Sequence, residues 1–380
     1  MSNINNISHH RVFPTNTKSS YSQLNNIDWE LSFPNRKMVC NSVRIEGNVR
    51  FNSSGNVQIT ATDKVYIDHF VGANALISDI QTVTANQGSI ELISELPKYE
   101  KMVTTAMSSP DDMNNISNLC ELKSQNIDIA HQVLLGNANE QKPVEDPNTN
   151  EPISFSIKPN FALNQVSNMA GGNVDIRSDT TGDVRVSVRL SRNTSVFWGE
   201  EADANYTITN LSLTYLSVPD DGQQEQLTVR TKLNISQSIQ ASFSNISVNV
   251  PSKSNGVSMV FLEQDKENNI LYNNTQLDRP PNIDTIEFLF NDQTNKYITY
   301  RLDTQEQFLN NYLESISRSS DVNSFTLANV KNNQTFGVGV NFNQLLDLSV
   351  NRFGMNIKSA ITNNAPYILY LFFHGFQTIG

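Results

Sequence analysis

The segment DVRVSVRLSRN, Asp183 to Asn193, carries the strongest secondary-structure signal in this chain of 380 residues. From Val184 to Leu190 every second residue is Val or Leu, and the residues between them are Arg or Ser. Successive side chains of a β-strand point to opposite faces of the sheet. This period of two therefore predicts a strand with one buried face and one face in solvent.

The next segment, NYTITNLSLTYLSV, has the same pattern with one interruption. Apolar residues occupy even-numbered positions at Tyr206 and Ile208 and odd-numbered positions at Leu211, Leu213 and Tyr215. The phase changes at Asn210. We therefore predict a β-bulge there, because one extra residue in a strand shifts the alternation by one position.

Apolar alternation of this kind recurs along most of the chain and predicts strands at 29–33, 42–51, 56–61, 64–70, 75–80, 89–93, 153–157, 174–178, 243–250, 257–263, 285–302, 336–342 and 353–361. Helical spacing is clear only at 303–316, where Phe308, Tyr312 and Ile316 lie on one stripe, and is weak at 108–122. We predict an all-β chain: a jelly-roll sandwich with a second β-rich domain and few short helices.

The domain organisation is predicted from changes in composition. Residues 1–27 are polar and lack periodicity, so a flexible N-terminal arm is expected. A first β-rich, jelly-roll-type block at 28–218 is followed by a polar linker at 219–226 and a second β-rich block at 227–380. An unpatterned loop is expected at 136–152.

The apolar run YILYLFF at 367–373 is uncharged on both faces, which is typical of a strand buried on both sides. Two arrangements are compatible with the sequence. The run completes a jelly roll begun by the N-terminal strands, with a β domain inserted between them, or it belongs to the second of two tandem sandwiches.

Composition limits the possible functions. The formal net charge is −11, which opposes binding to nucleic-acid backbones and to anionic membranes. The two cysteines, Cys40 and Cys120, are too few for a disulfide framework and are expected to be free thiols. No signal peptide and no apolar stretch of membrane-spanning length is apparent.

No catalytic, metal-binding or cofactor-binding motif is present, so we predict no enzymatic activity and no cofactor. The pair His9–His10 is best explained as part of a flexible tail. One basic cluster stands out in this acidic chain and contains the subunit-contact candidates Arg177, Arg185, Arg189 and Arg192. These arginines either dock an acidic neighbour or form ion pairs within their own sheet.

Four segments resemble a known family of capsid proteins: SIELISELPKYEKMV at 89–103, VRVSVRLSRNTSVFWG at 184–199, NYTITNLSLTYLSV at 205–218 and YILYLFF at 367–373. They are similar to the vertex (penton, or minor capsid) proteins of Sputnik-like virophages. The resemblance implies a homopentamer at the five-fold vertices of an icosahedral double-stranded DNA virus, in contact with trimers of the major capsid protein. It implies location in the virion, synthesis in the host cytoplasm, and no binding to nucleic acid or membrane.

Two other functions are compatible with a jelly-roll scaffold. The first is a carbohydrate-binding or attachment protein on a virion or cell surface, which would use exposed aromatic residues such as Trp198. The second is a glycosidase with two catalytic carboxylates, although no spacing of acidic residues in the sequence favours it.

Overall fold

A computed structural model describes residues 6–57, 59, 65–68, 70–107, 121, 152–167, 174–222, 227–239, 243–250, 253–280, 283–290, 295–301, 308–316, 335–359 and 366–379. The predicted helix at 108–122, apart from residue 121, and the predicted loop at 136–151 lie outside these residues. Cys120 also lies outside them.

Within the described ranges, the first half of the chain contains thirteen strands: β1 (Ser8–Val12), β2 (Asn26–Leu31), β3 (Arg36–Met38), β4 (Arg44–Asn52), β5 (Val65–Tyr66), β6 (Ile77–Thr84), β7 (Gly88–Ile93), β8 (Ile153–Ile157), β9 (Val166–Ser167), β10 (Ile176–Arg177), β11 (Val184–Leu190), β12 (Trp198–Gly199) and β13 (Asn205–Pro219). The second half gives β14 (Leu227–Ile239), β15 (Phe243–Val248), β16 (Lys253–Glu263), β17 (Ile283–Phe290), β18 (Asn295–Arg301), β19 (Val338–Asp347), β20 (Phe353–Ser359) and β21 (Tyr367–Ile379).

The described helices are α1 (Leu96–Met107), α2 (Ser178–Thr181), α3 (Asn193–Val196) and α4 (Phe308–Ile316). The predicted strand-rich fold with few short helices is therefore confirmed. Helix α4 lies within the segment for which helical spacing was predicted, and Phe308, Tyr312 and Ile316 on its stripe are buried.

Each half of the chain forms a sandwich with the same strand order. In the second half, one sheet has the order β14-β21-β16-β19 and the other β15-β20-β17-β18. The first half repeats this scheme, with β1-β13-β4-β8 in one sheet, which we call the first sheet, and β2-β11-β6-β7 in the other. This arrangement is that of an eight-stranded antiparallel jelly roll.

The two halves share one sheet of nine strands. Strand β7 of the first half lies parallel to β14 of the second, with Leu92 paired to Leu233. Each sandwich keeps its own apolar core: the core of the first half includes Trp29, and the core of the second includes Phe288. A third apolar cluster lies between the halves and includes Phe372.

Several local predictions are confirmed. Along β11 the valines and Leu190 are buried, whereas Arg185 and Arg189 are exposed. The register of β13 against β4 shifts between Thr209 and Ser212, and Asn210 adopts φ 53°, as expected of a bulge. Asn tolerates this left-handed conformation better than most residues other than glycine.

The terminal apolar run lies in β21, which pairs with β14 along its whole length and with β16 on its other side. Leu369, Leu371 and Phe373 enter the core of the second half, whereas Tyr370 and Phe372 enter the cluster between the halves. This arrangement explains why both faces of the run are apolar. The pairing also places the run with strands of the second half, not with the N-terminal strands.

The N-terminal segment differs from the predicted arm. Residues 8–12 form β1, which pairs with β13, and Tyr21 is buried and bridges to Ile208. The ring of His10 stacks on Tyr215 at 4.6 Å between centroids, and its Nε2 lies 2.7 Å from the hydroxyl of Ser217. The apolar alternation that predicts a strand is missing here, because the contacts of β1 are mainly backbone hydrogen bonds and polar side-chain pairs.

Candidate functional site

The two halves meet along a contact region that we call the seam, formed by β7 and α1 from the first half and by β14, β16 and β21 from the second. Helix α1 is buried from Leu96 to Ala106, which includes residues on its polar face. A helix that is buried on all sides needs apolar partners on one face and paired polar groups on the other.

The apolar face of α1 is built from residues at helical spacing. Tyr99, Met102, Val103 and Ala106 pack in the cluster between the halves, against residues such as Tyr370 of β21. This helix is absent from the elements predicted from the sequence. The spacing i, i+3, i+4 and i+7 and the proline near the helix start would have predicted it.

A buried ion pair crosses the seam. Glu91 on β7 and Lys232 on β14 have fully buried side chains, and Oε1 of Glu91 lies 3.8 Å from Nζ of Lys232. The backbone N–H of Ala162 donates a 2.8 Å hydrogen bond to the other oxygen of Glu91. The ammonium group of Lys232 donates to the backbone oxygen of Asn160.

Burial sets the protonation equilibria of this pair. Loss of solvation raises the pKa of Glu91, and the same cause lowers the pKa of Lys232, while each charge partly offsets the shift of the other. The cost of desolvating both charges therefore opposes the attraction between them. Such a pair specifies geometry more than it adds stability.

His374 lies directly beside this pair, because β21 places it opposite Lys232 in the register with β14. Its Nε2 is 2.8 Å from the hydroxyl of Ser258 on β16, and its ring centroid is 5.9 Å from that of Tyr99. Burial lowers the pKa of His374 well below its ordinary value, and the nearby cations Arg230 and Lys232 lower it further. The imidazole is consequently neutral in the folded protein.

A second polar network crosses the same region on the other side of α1. Lys101 of α1 donates to the buried carboxylate of Asp68 at 2.5 Å. Asp68 also accepts hydrogen bonds from Asn273 at 2.7 Å and from Thr275 at 2.8 Å, both in the second half of the chain. The halves are thus joined by hydrogen-bonded charges as well as by apolar packing.

The four arginines predicted as subunit contacts do not form one cluster. Arg177 is buried beside the first sheet, where it donates to Asp179 at 2.8 Å and to Asp220 at 2.9 Å. Arg185 is exposed on β11 and lies 3.0 Å from Asp28 on β2. Ion pairing within the chain, one of the two explanations of the cluster, therefore accounts for these two residues.

Arg189 lies further along β11 than Arg185. Together with Arg192 it lines a cleft of about 280 Å³ near the start of α1. The cleft is polar and also contains Glu95, Lys98 and Glu267. Among the described residues, no carboxylate lies within ion-pair distance of Arg189 or Arg192. Their predicted role in subunit contact stays a prediction.

Trp198, the aromatic residue considered for carbohydrate binding, is partly buried and stacks on Tyr66 with 4.5 Å between ring centroids. One face of its indole is therefore occupied. Cys40 is a free thiol whose pKa is raised by burial. Within the described ranges, no group of three His, Cys, Asp or Glu residues is arranged to hold a metal ion, and no helix is long and apolar enough to cross a membrane.

The strand order and the shared sheet define a protein of two adjacent jelly rolls. No family model and no curated protein matches the sequence. Among solved structures, the chain is similar to the Faustovirus major capsid protein, with a TM-score of 0.66 and 8% identity over 98% of this chain and 90% of that one.

Two further solved structures agree. PBCV-1 VP54, fitted into a cryo-EM reconstruction of the virophage Sputnik, gives a TM-score of 0.60 at 11% identity over 99% of this chain and 95% of that one. The mavirus major capsid protein gives 0.54 at 9% identity over 99% and 90%. At these identities the similarity establishes the fold: the chain has the jelly-roll fold of viral capsid proteins.

Proposed function

We propose that this chain is a structural protein of an icosahedral viral capsid and acts in the virion without catalytic activity. One observation carries the proposal: the similarity extends from end to end. Both sandwiches and the sheet that joins them correspond to at least 90% of the length of three capsid chains. A scaffold shared only in one sandwich would support the proposal much less, because single jelly rolls host many functions.

We further propose that the chain has two tandem domains, one before and one after the linker at 219–226. The pairing of β21 with β14 and β16 supports this division, because each sandwich then closes with its own strands. Within the proposal, α1 is a wedge that fixes the angle between the domains, and Glu91–Lys232 fixes their register.

The tandem arrangement favours a place in the capsid facets. Three such chains around an axis present six similar sandwiches, which suits a position with six neighbours. The homopentamer at the five-fold vertex, predicted from the sequence, stays a prediction and is the alternative outcome of the test. In either position the expected partners are other copies of the chain and other capsid proteins, and Arg189 and Arg192 are candidate contacts.

The number of copies per assembly tests the proposal. Native mass spectrometry of the purified full chain is expected to show trimers, and imaging of virions is expected to place the chain at six-coordinated positions. Pentamers at the vertices would support the capsid role but would show that the chain occupies the five-fold vertices and not the facets. A chain that remains monomeric at high concentration and is absent from particles would refute the capsid role.

A further inference from the structure

The outer face of the first sheet carries a row of positive charge. Arg11 of β1 pairs with Thr214 of β13, and Thr214 pairs on its other side with Arg44 of β4. The pairing of Ile45 with Ile157 then places Lys158, which follows β8, opposite Arg44. Three cations therefore lie in one row across four strands, with Thr214 between Arg11 and Arg44 and with Arg44 next to Lys158. We call Arg11, Arg44 and Lys158 the basic row.

These cations lie on the face that points away from the core. In β4 the alternate residues Ile45 and Val49 are buried in the core, so Arg44 has the opposite orientation. Arg50 shares this outer face and is exposed, as is Arg11. The face therefore has four cations, in a chain whose net charge is −11.

Two acidic residues, Glu46 and Glu121, lie close to the basic row, and Glu121 offsets part of the charge of Lys158. Glu46 lies two residues after Arg44 on the same face of β4 and accepts a 3.3 Å hydrogen bond from Ser156. Glu121 accepts the backbone N–H of Lys158 at 3.1 Å. Among the described residues, no carboxylate lies within ion-pair distance of Arg11, Arg44 or Lys158.

Like charges on neighbouring strands destabilise a sheet. Burial lowers the pKa of Lys158 and the Arg44 guanidinium lowers it further, while the Glu121 carboxylate offsets part of this shift. A partner with negative charge would convert the repulsion into attraction across a contact.

A groove of about 620 Å³ lies along the same face and gives a partner a shaped surface. Small side chains such as Ser154 and Ser156 line it, together with Arg11, Phe13 and Glu46. Phe13 is 59% exposed, and the Arg11 guanidinium lies 5.6 Å from its ring centroid. An exposed aromatic ring next to an arginine is typical of the residues that contribute most to binding at an interface.

We propose that the outer face of the first sheet, centred on the basic row, binds an acidic surface of a second copy of this chain. The proposal rests on the proposed role in capsid assembly and names the surface that one subunit offers to the next. Charge complementarity favours a second copy as the partner, because the rest of the chain carries an excess of negative charge that can face this basic surface. The contact is heterologous, since a basic face cannot pair with itself, and heterologous contacts generate rings when the rotation closes.

The test compares two charge-reversal variants of the full chain by sedimentation and native mass spectrometry. The first is Arg11→Glu with Arg44→Glu, and the matched control is Lys18→Glu with Lys253→Glu, which changes two exposed lysines away from this face. Each substitution removes two units of charge, so both variants change from −11 to −15. Only the first variant should lose self-association, by about tenfold or more in dissociation constant.

Melting curves show whether each variant is folded. If the glutamate variant melts earlier than the control, the milder Arg11→Gln with Arg44→Gln is used, and it too should weaken association. Higher salt should weaken association of the unchanged chain, since the contact is electrostatic.

Equal association of the two charge-reversal variants would overturn the inference and leave the capsid role intact. A second overturning result would be intact self-association in the Arg11/Arg44 variant together with loss of binding to single-stranded DNA or to phosphatidylserine vesicles. That result would identify a nucleic acid or a membrane as the occupant. An unchanged chain that never associates would overturn both this inference and the proposed function.

Discussion

The ion pair across the seam predicts a reversal of mutant severity with pH. Replacing Lys232 with Met leaves the Glu91 carboxylate buried without its cation, and replacing Glu91 with Gln leaves a buried ammonium group. Both side chains are fully buried and 3.8 Å apart, so the charge that remains in each variant is buried without its partner. Removing one member of a buried pair costs about 3–5 kcal/mol of the free energy of unfolding.

The size of each effect is limited by the cost of neutralising the residue that remains. The ordinary pKa of Glu is 4.5 and that of Lys is 10.5. At about 1.4 kcal/mol per pH unit, protonating Glu91 at pH 7 costs about 3 kcal/mol and deprotonating Lys232 costs about 5 kcal/mol. Glu91→Gln is therefore the more severe variant at pH 7.

The order changes at higher pH. Without Lys232, the pKa of Glu91 is raised by burial, so its folded state binds a proton more tightly than the unfolded state and loses stability as pH rises above 4.5. Without Glu91, the pKa of Lys232 is lowered by burial, so stability is lost as pH falls below 10.5. The two limits are equal near pH 7.5, midway between the ordinary values, so we expect Lys232→Met to become the more severe variant above that pH.

Urea unfolding curves of both single variants and of the double variant measure this prediction. The curves should be followed by tryptophan fluorescence, because Trp29 is buried in the core of the first half, and should be repeated at about pH 6, 7.5 and 9. The double variant should be within about 1 kcal/mol of the unchanged chain, or more stable than it, because no unpaired charge remains. Single variants as stable as the unchanged chain, or an order of severity that does not depend on pH, would refute the reasoning.

Four further predictions concern other parts of the fold. Deleting residues 367–380 removes the central strand β21 and should abolish soluble expression, so a soluble product with the original melting curve would contradict its role. At the bulge, Asn210→Val should cost about 1–2 kcal/mol in thermal unfolding because φ is 53°, whereas Asn210→Gly should be nearly neutral. Met102→Ala on α1 should cost about 2–5 kcal/mol, against little for Leu92→Ala, whose side chain is 45% exposed. His374 stays neutral in the folded state, whereas in the unfolded state it gains a proton as pH drops below 6.5. The free energy of unfolding should therefore fall by up to about 1.4 kcal/mol per pH unit in that range, and His374→Gln should reduce this pH dependence.

Much of the fold follows from local patterns. The alternation at Val184–Leu190 and the change of phase at Asn210 both arise because one face of the sheet is buried and the other is exposed to solvent. Both can be detected within a short segment. The helix stripe at Phe308–Ile316 is equally local. These features therefore agree between sequence and structure.

The remaining features depend on partners that are distant in the chain. Strand β1 has too few apolar residues to be detected and is stabilised by pairing with β13, some two hundred residues later. The four arginines are close in sequence, yet Arg177 lies beside one sheet while Arg185 and Arg189 lie on another. Spacing along a chain does not determine which sheet a strand joins.

The sequence by itself determined that this protein is an all-β sandwich protein with a closing strand buried on both faces. Only the tertiary structure decided what covers those faces, and it placed the core of the second half on one and α1 on the other. It also decided that Glu91 and Lys232 form a pair and that Arg11, Arg44 and Lys158 form a row. The physical reason is that side-chain periodicity is a local property of the backbone, whereas sheet order and charge pairing arise from contacts between segments far apart in the chain.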